Sequence, residues 1–156
     1  MSKSIARVEA AARDAGLDIT VRRMGESTRT AQEAADQCGC AVAQIVKSLI
    51  FQGADSGKLY LFLVAGDNSL DLSKAATLTG EALGRADPRL IRDETGFAIG
   101  GVSPIGHKID IACFADETLT RFETVWAAAG AHDAVFEAKT SELLRAARAR
   151  VADLKT

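Results

Sequence analysis

The chain has 156 residues, of which 47% are hydrophobic and 26% charged, and its formal net charge is −2. A chain of this size buries roughly two-thirds of its unfolded surface, so we expect one domain over residues 1–156. The weak net charge excludes a basic surface over the whole molecule, and we expect no DNA partner, although a local basic patch stays open. No stretch approaches the roughly 18 apolar residues of a membrane span, so no membrane partner is expected.

The three cysteines do not have the spacing of a disulfide framework. The N-terminal segment also lacks the long apolar stretch and cleavage site of a secretory signal. Together these features predict a protein of the reducing cytoplasm.

In the first half of the chain, helical and strand patterns alternate. Thr30 and Glu33 have the spacing of a capping box, and the loop GADSG between two β-rich runs indicates a hairpin. In chain order, the predicted elements are a helix over residues 4–15, a strand over 18–23, a short helix that follows STRT and stops at Gly39, and strands over 44–52 and 58–66.

The second half mixes the same kinds of element. Asp71 or Ser69 is expected to cap the first helix, and Thr140 or Ser141 the last. In chain order, the predicted elements are helices over 69–80 and 87–96, a glycine-rich loop over 96–107, a strand over 108–114, a short helix over 116–122, strands over 123–130 and 134–139, and a helix over 140–150. Because hairpins imply antiparallel pairing and strict βαβ alternation is absent, the class is α+β, with helices packed around a mixed sheet.

Lys47 lies in the middle of the apolar run QIVKSLIF. Side chains alternate between faces along a strand, so Lys47 shares its face with Ile45, Leu49 and Phe51. An unpaired buried ammonium would cost several kcal/mol or lose its proton. Either a negative or carbonyl group meets the amine at a cavity, or the side chain extends along a sheet edge until its ammonium reaches water. The pattern alone favours the second alternative.

The segment GGVSPIGH, residues 100–107, contains three glycines and a proline. Such a loop could direct backbone N–H groups at a carbonyl or oxyanion, and it could equally be an ordinary turn before a strand. Ser103 lacks a nucleophile elbow, and His107 is a candidate acid or base for which a structural role is equally compatible with the sequence.

Other chemistry-bearing residues give weaker signals. Cys38 and Cys40 are too few for a zinc site, so we expect no metal, and Cys113 is expected in the core. The hydroxyls of STRT are typical helix caps, although Arg29 could reach a phosphate there. The last helix is basic, which indicates either a solvated face or contact with a phosphate backbone.

Four segments in succession resemble the YbaK/ProX family of free-standing aminoacyl-tRNA deacylases and of editing domains inserted in bacterial prolyl-tRNA synthetases. The resemblance covers residues from about 20 to 154, and it depends most on the lysine-centred strand together with Gly-x-x-x-Pro at Gly100–Pro104. The segments are STRTAQEAA, AQIVKSLIF, YLFLVAGDNSLDLSKAA and ETGFAIGGVSPIGHKIDI.

The resemblance implies a mixed, partly barrel-like sheet flanked by helices, and hydrolysis of the ester that joins a wrong amino acid to a tRNA. It implies no cofactor, an aminoacyl-tRNA 3′ end as substrate, and delivery by a synthetase or an elongation factor. It also implies the site: Lys47, Gly101 and Ser103 as catalytic residues, with Thr28, Arg29, Thr30, Ser48, Gly100, Val102, Pro104, Gly106 and His107 binding the substrate.

Two questions stay open at this point. The last hairpin turn is Gly-Ala-His-Asp at Gly130–Asp133, where family members often have Gly-basic-basic-Gly. The accepted amino acid could therefore be Cys, Ala, Ser or Thr, with tRNA(Pro) as the first guess. The alternative to an enzyme is a non-catalytic module that binds a nucleotide or a tRNA end in the same pocket, or an interaction domain whose loop is only structural.

Overall fold

The computed structural model describes residues 3–25 and 30–156, and within these ranges the chain forms five α-helices and eight β-strands. None of the described helices is long and apolar enough to cross a membrane. The helices are α1 (Lys3–Asp14), α2 (Ala31–Cys38), α3 (Leu72–Thr79), α4 (Pro88–Thr95) and α5 (Thr140–Ala146). The strands are β1 (Val21–Arg23), β2 (Val46–Gly53), β3 (Leu59–Ala65), β4 (Leu83–Arg85), β5 (Ala112–Asp116), β6 (Thr124–Ala128), β7 (Ala134–Lys139) and β8 (Ala149–Ala152).

The strands form two sheets that meet beside β2 and β6. One sheet has the antiparallel order β1–β7–β6, and the other has the order β4–β2–β3–β5–β8. In the second sheet, β2 pairs antiparallel with β3 and β4, whereas β5 pairs parallel with β3 and β8. A bridge between Ile45 and Trp126 connects the two sheets. The α+β class with a mixed sheet is confirmed, and both predicted hairpins, β2–β3 and β6–β7, are present.

The core follows the alternation of side chains along β2. Val46 and Ile50 contact the main hydrophobic cluster, which also contains residues of α1, α4 and the other strands. Leu49 and Phe51 contact a second cluster under α3. The two faces of β2 are therefore covered by different helices, as its long apolar run requires. Ile45, just before β2, packs with α2 in a third cluster.

Side-chain caps fix where three of the helices begin. Thr30 accepts a hydrogen bond from the backbone N–H of Glu33 at the start of α2, as the capping-box spacing predicted. Asp71 accepts from two N–H groups at the start of α3, so it, and not Ser69, is the cap. Asp87 caps α4 ahead of Pro88. Each such cap contributes about 1 kcal/mol to helix stability.

The C-terminal segment differs from the prediction. The helix expected over 140–150 ends at Ala146, Arg148 adopts a left-handed conformation with φ of 53°, and β8 follows. The parallel pairing of β8 with the edge of β5 accounts for this, because this tertiary pairing overrides the local helical preference of the segment. The predicted cap was also wrong: Lys139 is the N-cap residue, and the hydroxyl of Thr140 donates to the carbonyl oxygen of Phe122 at 2.7 Å.

Two other elements were misplaced or missed. The strand expected over 108–114 runs from Ala112 to Asp116, and β4 was not predicted. The alternating residues before Ala112 instead form a loop with two backbone hydrogen bonds to the end of α4, from Lys108 to Thr95 and from Ile109 to Glu94. β4 is three residues long and contains a glycine, so it lacks a readable period.

Candidate functional site

Lys47 is the second residue of β2 and is half-buried. Its Nζ donates a hydrogen bond to the main-chain carbonyl oxygen of Asn68, in the loop that follows β3. An ammonium has three N–H donors, so up to two remain for a ligand. Of the two alternatives that the sequence left open, the structure shows the ammonium meeting a carbonyl group, whereas the pattern alone favoured extension into water.

The loop that accepts Lys47 is packed closely against the start of α2. A Cβ added at Gly66 would lie 2.3 Å from the carbonyl oxygen of Val42 and 3.0 Å from Cβ of Ala31. Only a residue without a side chain can occupy that position without displacing the backbone of the adjacent 3₁₀ turn, Val42–Gln44. Lys47 and the N-terminus of α2 are therefore held to the same short loop.

The glycine-rich loop begins with a contact to the β6–β7 turn. A Cβ added at Gly101 would lie 3.0 Å from Cα of Ala131, closer than ordinary van der Waals contact. The N–H of Gly101 already donates to the carbonyl oxygen of Ala98 at 3.0 Å. Gly100 has a φ of 92°, a conformation that glycine adopts without strain. The position of Gly101 thus serves packing, and its own N–H group is engaged inside the loop.

Ser103 and His107 hold the loop from inside. Ser103 is fully buried, and its Oγ accepts a hydrogen bond from the N–H of Ile105 at 3.2 Å. The Nε2 of His107 lies 2.7 Å from the carbonyl oxygen of Ser103. Burial lowers the pKa of His107, so the neutral imidazole, with Nε2–H as the donor to this carbonyl, is the form that the site favours. These contacts support a role for Ser103 in loop geometry instead of in attack on an ester.

Two backbone N–H groups of the same loop have no hydrogen-bond acceptor among the described residues. Val102 and Ser103 are both buried, and among the residues that the structure describes their N–H groups have no hydrogen-bond acceptor. Buried amides without a partner cost free energy unless a ligand or water satisfies them. Backbone N–H groups without an acceptor are the kind of donor that can stabilise an oxyanion.

Two cavities divide the remaining loop residues between them. Ser48, Gly100 and Val102 line a mostly apolar cavity of about 290 Å³, where no described residue hydrogen-bonds the buried Oγ of Ser48. Pro104, Gly106 and His107 line a separate cavity of about 220 Å³. Lys47 lines neither, because its side chain leaves β2 on the face opposite to Ser48. Among the described residues, the predicted site residues therefore do not all line one of these two cavities.

The predicted site has two parts, the loop that accepts Lys47 and the glycine-rich loop. Each of them is in contact with a segment that flanks the connection between β1 and α2. The N–H of Met24 donates to the carbonyl oxygen of Asp133, in the turn that packs on Gly101. Ala31 contacts the loop that accepts Lys47. Met24 and Ala31 are seven residues apart, so they lie at most about 25 Å from each other. Thr30 caps α2 at this junction, whereas Thr28 and Arg29 lie outside the described residues.

The cysteines are poor nucleophiles here. Burial raises the pKa of the Cys113 thiol to about 12, and burial together with the neighbouring Cys40 raises that of Cys38 to about 11. Both thiols are therefore protonated at neutral pH. In the described part of the chain, no group of three or more His, Cys, Asp or Glu side chains could hold a metal ion.

The basic C-terminal segment does not form one helical face. Its arginines are divided between α5, a turn and β8, with Arg145 in α5, Arg148 in the turn and Arg150 in the strand. The nearest ion pair, Arg148 to Asp110 at 3.8 Å, is exposed and contributes little. The prediction of one continuous basic helix is wrong, because the helix ends at Ala146, before Arg148, and contact of these arginines with a phosphate backbone stays a prediction.

Sequence reasoning missed the group that fixes Asn68. The side-chain amide of Asn68 donates to Oδ2 of Asp116 at 2.8 Å and to Oγ1 of Thr118 at 3.1 Å. Asp116 is fully buried at the end of β5. The available signal was a carboxylate directly after an apolar strand, in IACFAD, since a buried acid of this kind requires partners.

Fold and site together define an α+β domain with a lysine held on the central strand pair and a glycine-rich loop that leaves backbone donors free. Residues 25–146 match the model of the aminoacyl-tRNA editing domain. The chain belongs to this family of editing domains, which confirms the resemblance to YbaK/ProX proteins.

Three relatives illustrate the similarity. Over its whole length, the chain is similar to a crystal structure described as a candidate trans-editing enzyme for prolyl tRNA synthetase, with 47% identity, a TM-score of 0.91 and 99% of that chain covered. It is 33% identical over 117 residues to the uncharacterized protein YwhH of Bacillus subtilis. This match covers 75% of this chain and 74% of YwhH. It is also 36% identical over 81 residues to the proline–tRNA ligase of Thermosipho melanesiensis. This match covers 51% of this chain and 14% of the ligase.

Proposed function

We propose that this chain is a trans-editing aminoacyl-tRNA deacylase, formed by one domain over residues 1–156, that hydrolyses the ester of a small, wrongly attached amino acid. The observation that carries the proposal is Lys47, half-buried in β2 with its ammonium held on a main-chain carbonyl, in a chain of the editing-domain family. A fixed cation with donors to spare can orient a substrate carbonyl or the terminal phosphate of a tRNA.

The proposed chemistry needs no side-chain nucleophile. A water molecule adds to the ester carbonyl carbon, gives up a proton to solvent and forms a tetrahedral oxyanion. The free N–H groups of Val102 and Ser103 would stabilise that oxyanion. Its collapse breaks the bond to the ribose oxygen, which takes up a proton, so the products are the free amino acid and the tRNA. This route agrees with the buried, engaged Ser103 and the protonated thiols.

The substrate side chain is proposed to be small, with Cys, Ala, Ser and Thr as candidates. Discrimination would depend on pocket size and polarity, where one methylene contributes only about 1–3 kcal/mol. The similarity to proline–tRNA ligases and to the candidate trans-editing enzyme supports tRNA(Pro) as the carrier and a synthetase as the partner. Translation is a cytoplasmic process, so we propose that location.

A deacylation assay with matched lysine variants tests the proposal. Lys47→Ala should lower turnover at least about tenfold, equal to about 1.4 kcal/mol of barrier, with an unchanged circular dichroism spectrum. Lys58→Ala is the control, because Lys58 is exposed in the β2–β3 loop and its side chain forms no hydrogen bond or ion pair with the described residues. Binding of an aminoacyl-adenosine analogue without turnover would instead indicate a non-catalytic binding module.

A further inference from the structure

The carbonyl that accepts Lys47 belongs to a loop that is fixed from three directions. The N–H of Asn68 donates to the carbonyl oxygen of Ala65 at 2.9 Å, which turns the chain back after β3. The side-chain amide of Asn68 donates to Asp116, at the end of β5, and to Thr118, in the 3₁₀ turn (Glu117–Arg121) that follows β5. One residue thus presents its main-chain oxygen to Lys47 while its side chain is held by Asp116 and Thr118.

Asp116 is the anchor of this arrangement. Its Oδ2 accepts from the Asn68 amide and from the N–H of Ala65 at 3.2 Å, and its Oδ1 accepts from the N–H of Thr118 at 2.9 Å. Burial raises the pKa of Asp116, but these hydrogen bonds outweigh burial and the pKa is lowered overall. The carboxylate is therefore charged at neutral pH, and it accepts charge-assisted bonds, which are stronger than neutral ones.

The side-chain hydrogen bonds of Asn68 connect the loop to the neighbouring strand. The residues on either side, Asp67 and Ser69, are exposed, although the main-chain oxygen of Ser69 accepts a hydrogen bond from the N–H of Thr156 at 3.1 Å. In the described part of the chain, only Asn68 connects this loop by its side chain to β5 and to the 3₁₀ turn after it. Besides the main-chain contacts of the loop, the bonds to Asp116 and Thr118 therefore help to fix the position of the Asn68 carbonyl, and with it that of the Lys47 ammonium.

We propose that Asn68 is a positioning residue for Lys47, held in place by Asp116 and Thr118. The proposal depends on the proposed deacylase function, in which Lys47 contacts the substrate. Asn68 itself does not contact the reacting atoms. It directs the Lys47 ammonium along one line, so that its remaining N–H groups point toward the substrate. Displacement of a catalytic group by about 1 Å can cost up to about a hundredfold in rate.

A double-mutant cycle distinguishes this role from a purely structural one. Asn68→Ala should lower kcat at least about fivefold and leave KM within about twofold, because a misdirected ammonium affects the transition state more than binding. In the Lys47→Ala background the same change should alter kcat by less than about twofold. Equal losses in both backgrounds would overturn the proposal.

Two further variants keep the test independent of misfolding. Thr118→Val preserves shape and removes one acceptor of the Asn68 amide, so it should lower kcat in the same direction and to a smaller extent. Its control is Thr120→Val in the same 3₁₀ turn, whose hydroxyl bonds only the nearby carbonyl oxygen of Glu117. Asp67→Ala is the control for substitution in the loop, since Asp67 is exposed. Both controls should retain wild-type kcat, and an equal loss in the controls would contradict the proposal.

A second readout separates failure of this proposal from failure of the proposed function. The rate at which an amine-reactive reagent modifies Lys47, followed by peptide mass spectrometry, should rise at least about threefold in Asn68→Ala, because the ammonium loses its fixed acceptor. Asp67→Ala should leave that rate unchanged. If wild-type protein deacylates none of the tested tRNAs, the deacylase proposal is contradicted. An unchanged modification rate in Asn68→Ala would overturn the positioning role whether or not turnover is found.

Discussion

Replacing Gly101 by alanine tests whether the glycine-rich loop must lie directly against the β6–β7 turn. The added Cβ would lie 3.0 Å from Cα, and 3.1 Å from both N and C, of Ala131. Ordinary contact begins near 3.4 Å, so the loop or the turn must move by a few tenths of an ångström. Neither partner is a flexible side chain that could rotate away, so the backbone itself has to shift.

The expected cost follows from this geometry. Overpacking of this kind costs about 1–3 kcal/mol. For a chain of this size, each kcal/mol lowers the melting temperature by about 2–4 °C. The same shift would displace the free N–H groups of Val102 and Ser103, so turnover should fall about tenfold or more.

Gly84→Ala is the matched control, because a Cβ there meets nothing within 4 Å and its φ lies outside the left-handed region. Urea unfolding should show a change within about 0.5 kcal/mol for Gly84→Ala, against the larger loss for Gly101→Ala. If both variants had the same stability and the same turnover, the reasoning about the loop contact would be refuted.

Three further predictions concern single side chains. Ser103→Ala should cost about 1–3 kcal/mol, because the buried N–H of Ile105 loses its acceptor, yet keep kcat within about tenfold of wild type; a loss above about a thousandfold would instead indicate a nucleophile. Burial lowers the pKa of His107 below 6.5, so its contribution to stability is complete above pH 6.5 and decreases as the pH falls below it; His107→Gln should reduce this slope in urea midpoints between about pH 7 and 5. Hydrogen bonds from Ser56, and then from Tyr60, lower the pKa of Glu81 from 4.5 to about 2, so the stability it contributes is complete above pH 4.5 and is lost as the pH falls toward 2. Glu81→Gln should flatten the acid branch of the stability profile, and an unchanged acid branch would contradict this role.

The periodic elements could be predicted because their patterns are local. The β2–β3 hairpin, α3 with its Asp71 cap and α4 with Pro88 in its first turn all follow from apolar periodicity and capping chemistry. The C-terminal segment could not be predicted in this way. Its helix-like run of alanines and arginines is overridden by pairing with β5, which is distant in sequence.

The site was accessible to sequence reasoning only in part. Lys47 stood out because a cation interrupts an apolar strand, and the loop stood out through its glycines and proline. Which groups satisfy that cation depends on long-range contacts, since Asn68 lies in one loop and Asp116 follows another strand. The division of Ser48 and Pro104 between two cavities likewise depends on how the loop crosses the sheet. Spacing along the chain contains none of this information.

The most direct test of the central claim is a deacylation panel. Purified protein would be given tRNA(Pro) charged with Cys, Ala, Ser or Pro, and tRNA(Thr) or tRNA(Ala) charged with Ser, with Lys47→Ala and Lys58→Ala in parallel. We expect wild type and Lys58→Ala to release one small amino acid, and Lys47→Ala to release it at least about tenfold more slowly. Equal release by Lys47→Ala, or no release from any of these tRNAs, would contradict the claim that Lys47 serves an editing deacylase.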